Sequence, residues 1–269
     1  MSLKYQFIQW IVQQNLTSKE DFEGLKSACE KLNIPFQGVI IVPFSSELPE
    51  FDRQRHSIPY GSTTFNALAY QDKILRKGLF FDETAFSIQN YLDKWGAHML
   101  NFGSQICTFQ ELMNNSIEND KLLFIRPNDD SKSFAGEVIR FGEVKEWYDK
   151  LSSIANSNLS LNSKIVVSEP YNIQTEWRLW IVGNEVVAAS KYREYFRLKK
   201  EEGCPTEVIS FAGQRCQEYT LSEVFVMDVC QSGNEYYIVE CGCMNGAGFY
   251  KANIENIVRS VTDYFITLI

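Results

Sequence analysis

The sequence predicts a mixed α/β fold of the α+β kind in two domains, and three observations predict it. Short runs rich in β-branched and aromatic residues alternate with amphipathic stretches at helical spacing. The first of these sets reads strand, helix, strand, a βαβ-like unit. The later runs turn back on themselves through Gly-Asn turns, an antiparallel signature. A chain of 269 residues allows one large domain or two smaller ones. The polar stretch 114–120 marks a boundary, so the expected units are residues 1–115 and 116–269.

In the first half, residues 5–12 read as a strand containing Trp10 and Ile11. Thr17 and Glu20 have capping-box spacing, and Phe22, Leu25, Cys29 and Leu32 follow at helical intervals, which predicts a helix over about 18–32. Val39, Ile40, Ile41 and Val42, stopped by Pro43, read as a buried strand of the parallel type, and residues 44–57 as a loop. Gly61, Ser62, Thr63 and Thr64 precede a helical Ala67-Leu68-Ala69 run. That pattern suits either a plain capped turn or an anion-binding helix N-terminus. Residues 85–95 read as a helix with Ile88, Tyr91, Leu92 and Trp95 on one face.

In the second half, residues 122–127 form a strand ending in Arg126-Pro127, followed by a polar loop that contains Lys132 and Ser133 and closes at Gly136. Such a loop can cover a polyphosphate, because Arg offers a fork of donors and Lys a mobile charge; it equally suits a solvated turn. A helix with Val144, Trp147, Tyr148, Leu151 and Ile154 on its apolar stripe is core. Residues 164–171 read as a strand running into Glu169-Pro170. A hairpin around Gly183-Asn184 points Glu176, Arg178, Lys191 and Arg193 from its strands. A second hairpin, around Ser232-Gly233-Asn234, carries one carboxylate in each apolar strand, Asp228 and Glu240. Strand alternation puts both on one face, whether they pair directly or lie one diagonal step apart. Two like charges that close repel unless a cation sits between them, and hard oxygen ligands suit Mg²⁺, with Asn245 as a candidate third ligand. The other reading is an edge hairpin that points these carboxylates to solvent. A last helix carries Ile254, Ile257, Val258, Val261, Phe265 and Leu268 at helical spacing.

Composition narrows the function. At 45% hydrophobic and 14% aromatic the chain can fill a core. A net charge of -8 does not favour non-specific nucleic-acid binding. The two histidines, His56 and His98, have no Cys or His at ligand spacing, so neither a zinc site nor a Ser-His-Asp triad is supported. Cys241 and Cys243 are two thiols where a zinc set needs four ligands. The seven cysteines are irregularly spaced and no apolar leader precedes them, which is the pattern of free thiols in a reducing cytosol. No window approaches the roughly 20 apolar residues of a membrane span. Paired carboxylates also serve glycosidases, but nothing else marks a sugar cleft.

Four elements in this order resemble the ATP-grasp superfamily: Phe124-Ile125-Arg126-Pro127 with the 131–136 loop, the 166–170 stretch, Glu176-Trp177-Arg178, and Met227-Asp228 with Val239-Glu240. More narrowly, the chain resembles a phage and bacterial branch with Arg in place of the first phosphate-binding Lys. Trp10-Ile11-Val12-Gln13, residues 61–65 and Gly248-Phe249-Tyr250 look like that branch too. The resemblance implies an N-terminal α/β pre-ATP-grasp domain, then an ATP-grasp domain of two α+β subdomains with nucleotide between them. It implies a cytoplasmic, ADP-forming, ATP-dependent carboxylate–amine ligase working through an acyl phosphate, in host cytoplasm if phage-encoded. A non-catalytic ATP-binding module and a phosphotransferase with a hydroxyl acceptor are the competing readings. Carried over by position, Arg126, Lys132, Ser133 and Gly136 would contact phosphates. Val167 and Glu169 would lie at the adenine hinge, and Glu176 and Arg178 toward the ribose and the transferred phosphate. Lys191 and Arg193 would face the acceptor or γ-phosphate. Asp228 and Glu240 would hold Mg²⁺. Gly242 stands where the family has a third ligand, Asn, and Asn245 is the candidate replacement. Substrates would be a small-molecule or peptide carboxylate and an amine, with the acceptor near residues 61–64.

Overall fold

The computed structural model describes residues 4–42, 47–129, 133–154 and 157–269. Among them, the N-terminal layer holds β1 (Ile8–Gln13), α1 (Lys19–Leu32), β2 (Phe36–Val39) and β3 (His56–Tyr60), a parallel sheet in the order β2-β1-β3. All of β1 is buried, as befits a central parallel strand covered on both faces. Ser18 caps α1 by accepting from the Asp21 N–H at 3.1 Å, one residue later than the Thr17–Glu20 spacing predicts. The strand after α1 also begins earlier than the apolar run at 39–42. Asn33 closes the helix with φ 55°, and its N–H and that of Ile34 return to the Cys29 carbonyl. The chain therefore reverses at once and pairs from Phe36 onward, leaving Ile40 and Val42 exposed past the strand end. β3 falls in the region expected to be loop. Its Pro59 reads as a strand breaker, yet β3 is an edge strand, where a missing N–H is tolerated.

Two helices lead away from this layer. α2 (Thr63–Gln71) is capped by Ser62, and α3 (Ile88–Trp95) by Ser87. The small sheet follows: β4 (Gln105–Thr108), β5 (Leu122–Pro127), β6 (Glu137–Arg140) and β7 (Lys164–Ser168), antiparallel in the order β4-β7-β5-β6. α4 (Phe109–Met113) and α5 (Val144–Ser152) pack on it around Phe109, Phe134, Trp147 and Tyr148. β4 and α4 precede the boundary expected after residue 115, but the ladder from β4 to β7 makes them part of this sheet.

The large sheet is antiparallel: β8 (Thr175–Val182), β9 (Glu185–Glu194), β10 (Arg197–Glu202), β11 (Val224–Ser232) and β12 (Glu235–Cys243), in the order β10-β9-β8-β11-β12. Tight turns at Gly183-Asn184 (φ 57° and 67°) and at Gly233 (φ 63°) join its hairpins. β10 is exposed along its whole length and so has no apolar alternation to announce it. α6 (Thr206–Glu218) packs against this sheet, and α7 (Ile254–Ile266) packs against α1. One core therefore runs from Trp10 and Ile58 of the N-terminal sheet through Trp180 and Val226 of the large sheet to Val258 and Phe265 of α7. Within it Phe249 lies between two rings, 4.6 Å from Trp180 at 4° and 5.3 Å from Tyr60 at 28°. None of the described helices is long and apolar enough to cross a membrane.

Phe249 is fully buried in the stack that joins the two halves of the chain. Phe249→Ala is expected to lower stability by about 3–5 kcal/mol, the range for deleting a buried aromatic ring. Urea denaturation measures this, and a change under about 1 kcal/mol would mean that the stack contributes little.

Candidate active site

A cleft of about 620 Å³ opens between the small and large sheets. Leu100, Phe124, Ile173 and Val239 make its walls apolar at one end, and Arg126, Glu176, Arg178, Arg193, Asp228 and Glu240 line the rest. The antiparallel registers explain the convergence. Asp228 pairs with Glu240 across β11 and β12 and with Arg178 across β11 and β8, while Glu176 pairs with Arg193 across β8 and β9. All five then project from one face of the sheet. A β-bulge follows Asp228, and another follows Glu176 in its pairing with β9. Such irregularities re-aim side chains and recur beside active sites.

Each of the three guanidiniums on the described cleft wall meets a carboxylate. Arg178 grips Asp228 with two parallel bonds, Nε to Oδ1 and Nη2 to Oδ2, each 2.8 Å. Both partners are buried, with side-chain exposures of 14% and 3%. Burial works against the Arg178 charge, but the charge and hydrogen bonds of Asp228 outweigh it and raise the Arg178 pKa above its ordinary value. Arg193 donates to Glu176 Oε1 at 3.1 Å. Arg126 reaches from β5 across the cleft to Glu240 on β12 and also donates to the Val239 carbonyl at 3.1 Å.

Two tyrosines outside the sequence expectations complete this face. The Tyr192 hydroxyl donates to Glu176 Oε2 at 2.8 Å and lies 3.4 Å from Asp228 Oδ2, so it links the two carboxylates. Burial, then the charges of Asp228 and Glu176, push its pKa well above the usual phenol value, which keeps it a donor at neutral pH. Tyr250 stacks on Tyr192 at 4.9 Å and 12°, with the Arg178 guanidinium 5.2 Å from its ring centre. Its φ of 55° is strained for an aromatic residue, and Phe249 beside it is held in the ring stack. The bulge beside β9 hid Tyr192, because strict alternation points it away from Arg193. Nothing local marks Tyr250.

The remaining predicted residues divide. Gly136 lies on the cleft wall, where a Cβ would come 2.8 Å from the Phe124 ring, so only glycine fits. Ser133 is exposed nearby and off the wall, and Lys132 lies outside the described residues. Val167 is buried in the small-sheet core, and its side chain does not line the cleft. Three expectations are corrected. Glu169 is 79% exposed and pairs with Lys121 at 3.3 Å, away from the cleft wall that Tyr171 and Ile173 form. Lys191 is held by Glu201 at 2.5 Å and Glu194 at 3.5 Å, and it does not line the cleft. Asn245 is fully buried and is no cation ligand. Its Nδ2 donates to the carbonyls of Pro59 (2.6 Å) and Gly78 (2.8 Å), and its Oδ1 accepts from the Phe80 N–H (2.9 Å). Residues 61–64 also lie off this cleft; the Gly61 N–H bonds to the Asn245 carbonyl, and Ser62 caps α2.

The model of one family of ATP-grasp domains, the third family of its clade, matches residues 79–261. No curated protein matches the sequence. Among solved structures, a D-alanine–D-alanine ligase from Bacillus anthracis aligns with TM-score 0.61 at 10% identity, covering 97% of each chain. The ATP-grasp ligase PsnB with its minimal precursor aligns with TM-score 0.56 at 10% identity, over 97% of this chain and 99% of that one. A RimK domain ATP-grasp protein from Sphaerobacter thermophilus DSM 20745 aligns with TM-score 0.55 at 10% identity, over 96% and 99%. At such identity the likeness is one of fold.

Asn245→Ala would leave two buried carbonyls and one N–H unpaired, so a loss of about 2–4 kcal/mol is expected in chemical denaturation. The cation dependence of ligand binding should stay that of the unaltered chain. A folded Asn245→Ala chain with lost Mg²⁺ dependence would restore Asn245 as a ligand.

Proposed function

The chain belongs to this family of ATP-grasp domains, and from that premise we propose that it is an ATP-dependent carboxylate–amine ligase acting through an acyl phosphate. The observation that carries this reading is the facing of Asp228 and Glu240, neighbours across one ladder, by Arg126 from the opposite sheet. Hard-oxygen donors on adjacent strands suit Mg²⁺, and their present partners are guanidiniums, the groups that also bind phosphate oxygens. Asp228 and Glu240 would hold the ion, which when bound supplies neutralisation of phosphate charge. A PsnB structure that contains Mg and ADP supports that pairing of ligands.

The cleft has a coherent division of labour. The apolar end formed by Leu100, Phe124, Ile173 and Val239 suits a purine ring. Arg126 and the backbone near Gly136 suit the phosphates, and Arg178 and Arg193 the transferred phosphoryl group and the substrate carboxylate. A carboxylate oxygen attacks the γ-phosphorus, the bond to ADP breaks, and an amine then displaces phosphate from the acyl group. Such chemistry needs positioning and charge neutralisation rather than a protein nucleophile, which fits a described wall of Arg and carboxylates without His. Tyr192 holds Glu176 beside Asp228 throughout. The shared fold of D-alanine–D-alanine ligase and of a ligase bound to a precursor peptide supports small-molecule and peptide substrates alike.

Incubation with Mg·ATP and pooled amino acids and short peptides should release ADP and phosphate. Release of AMP and pyrophosphate would refute the acyl phosphate, and nucleotide binding without turnover in every mixture would favour a non-catalytic module. Asp228→Asn removes charge while keeping shape and should weaken Mg²⁺-dependent nucleotide binding by about tenfold or more. Unchanged affinity in calorimetry would count against this metal site.

A further inference from the structure

The cleft is already charge-paired before anything enters it. Among the described residues of its wall, three guanidiniums meet three carboxylates, and the Arg126–Glu240 pair joins the small sheet to the large one. Arg126 has a side-chain exposure of 11%, so losing its counter-charge would leave a cation nearly buried. Glu240, at 38%, is the more accessible partner.

We propose that the Arg126–Glu240 pair is a cross-cleft latch that makes a polyphosphate and a divalent cation bind as a unit. This rests on the reading of the cleft as a Mg·nucleotide site. A polyphosphate entering alone must take Arg126 from Glu240, and the freed carboxylate then faces the incoming anion. A cation entering alone must take Glu240 from Arg126 and strand a guanidinium that solvent barely reaches. When both enter, the pair exchanges partners: Glu240 turns to the cation and Arg126 to phosphate oxygens, and no charge is left uncompensated. Each ligand therefore raises the affinity for the other by the same factor, as linkage requires. Because the latch spans the two sheets, its exchange also frees them to adjust around the ligand.

Calorimetry of ADP binding, with EDTA and with Mg²⁺, tests this on the full chain. The latch predicts a gain that a simple ligand role for Glu240 does not. Glu240→Gln releases Arg126, so metal-free ADP should bind about tenfold more tightly than to the unaltered chain, the factor expected for one charge-assisted hydrogen bond. The enhancement by Mg²⁺ should shrink by at least as much. Arg126→Gln releases Glu240, so Mn²⁺ alone, followed by electron paramagnetic resonance, should bind more tightly by a similar factor. The double variant separates the latch from mere removal of a negative charge: in the Arg126→Gln background, Glu240→Gln should give no gain. A gain that persists there, or metal-free affinity in Glu240→Gln no higher than in the unaltered chain, overturns the latch while leaving the nucleotide site intact. If Glu240→Gln does not fold, the Mn²⁺ affinity of Arg126→Gln decides the matter. Absence of ADP binding to the unaltered chain, with and without Mg²⁺, overturns the nucleotide reading and the latch together.

Discussion

The antiparallel register around β11 is the constraint on which the cleft depends. It sets Asp228 beside Arg178 on one flank and Glu240 on the other. A slip of one residue would turn Asp228 into the apolar core beneath the sheet, where Met227 and Val229 now sit. The turn at Gly233-Asn234 and the burial of β11 hold that register, and the bulge after Asp228 ends the stretch over which it is needed. Once it is set, each of the charged groups described on the cleft wall has a defined neighbour.

Buried charge is tolerated here because it is paired. Removing one partner of the Arg178–Asp228 pair would leave an uncompensated ion in a region that excludes water, which costs far more than the pair contributes. The same reasoning makes the wall a poor binder of isolated ions and a good binder of a complex that brings both signs. Tyr192 strengthens this arrangement, since a protonated hydroxyl can bridge Glu176 and Asp228 without adding charge.

The N-terminal layer has its own part in the site. Asn245 ties the end of β12 to the strand and turn that carry Pro59 and Gly78, and Phe249 is clamped between Tyr60 and Trp180. Both contacts lie within five residues of Tyr250 in sequence, and they hold that residue in a conformation an isolated peptide would avoid. The N-terminal sheet and the large sheet thus form one packed body, against which the small sheet makes the second wall of the cleft.

What was legible in the chain was local or periodic. Strand alternation put Asp228 and Glu240 on one face, Gly-Asn turns marked the hairpins, and helical spacing of apolar residues located α1, α3, α5 and α7. The order of Arg126, Glu176, Arg178, Asp228 and Glu240 carried the family. What the chain could not declare depended on contacts distant in sequence. An asparagine five residues after a carboxylate reads as a ligand until the carbonyls of Pro59 and Gly78 occupy its amide. Lys191 and Glu169 read as site residues until Glu201 and Lys121 claim them. Tyr192 reads as core until a bulge turns it into the cleft. Periodicity reports which face of an element is buried, and only tertiary packing decides what that face meets.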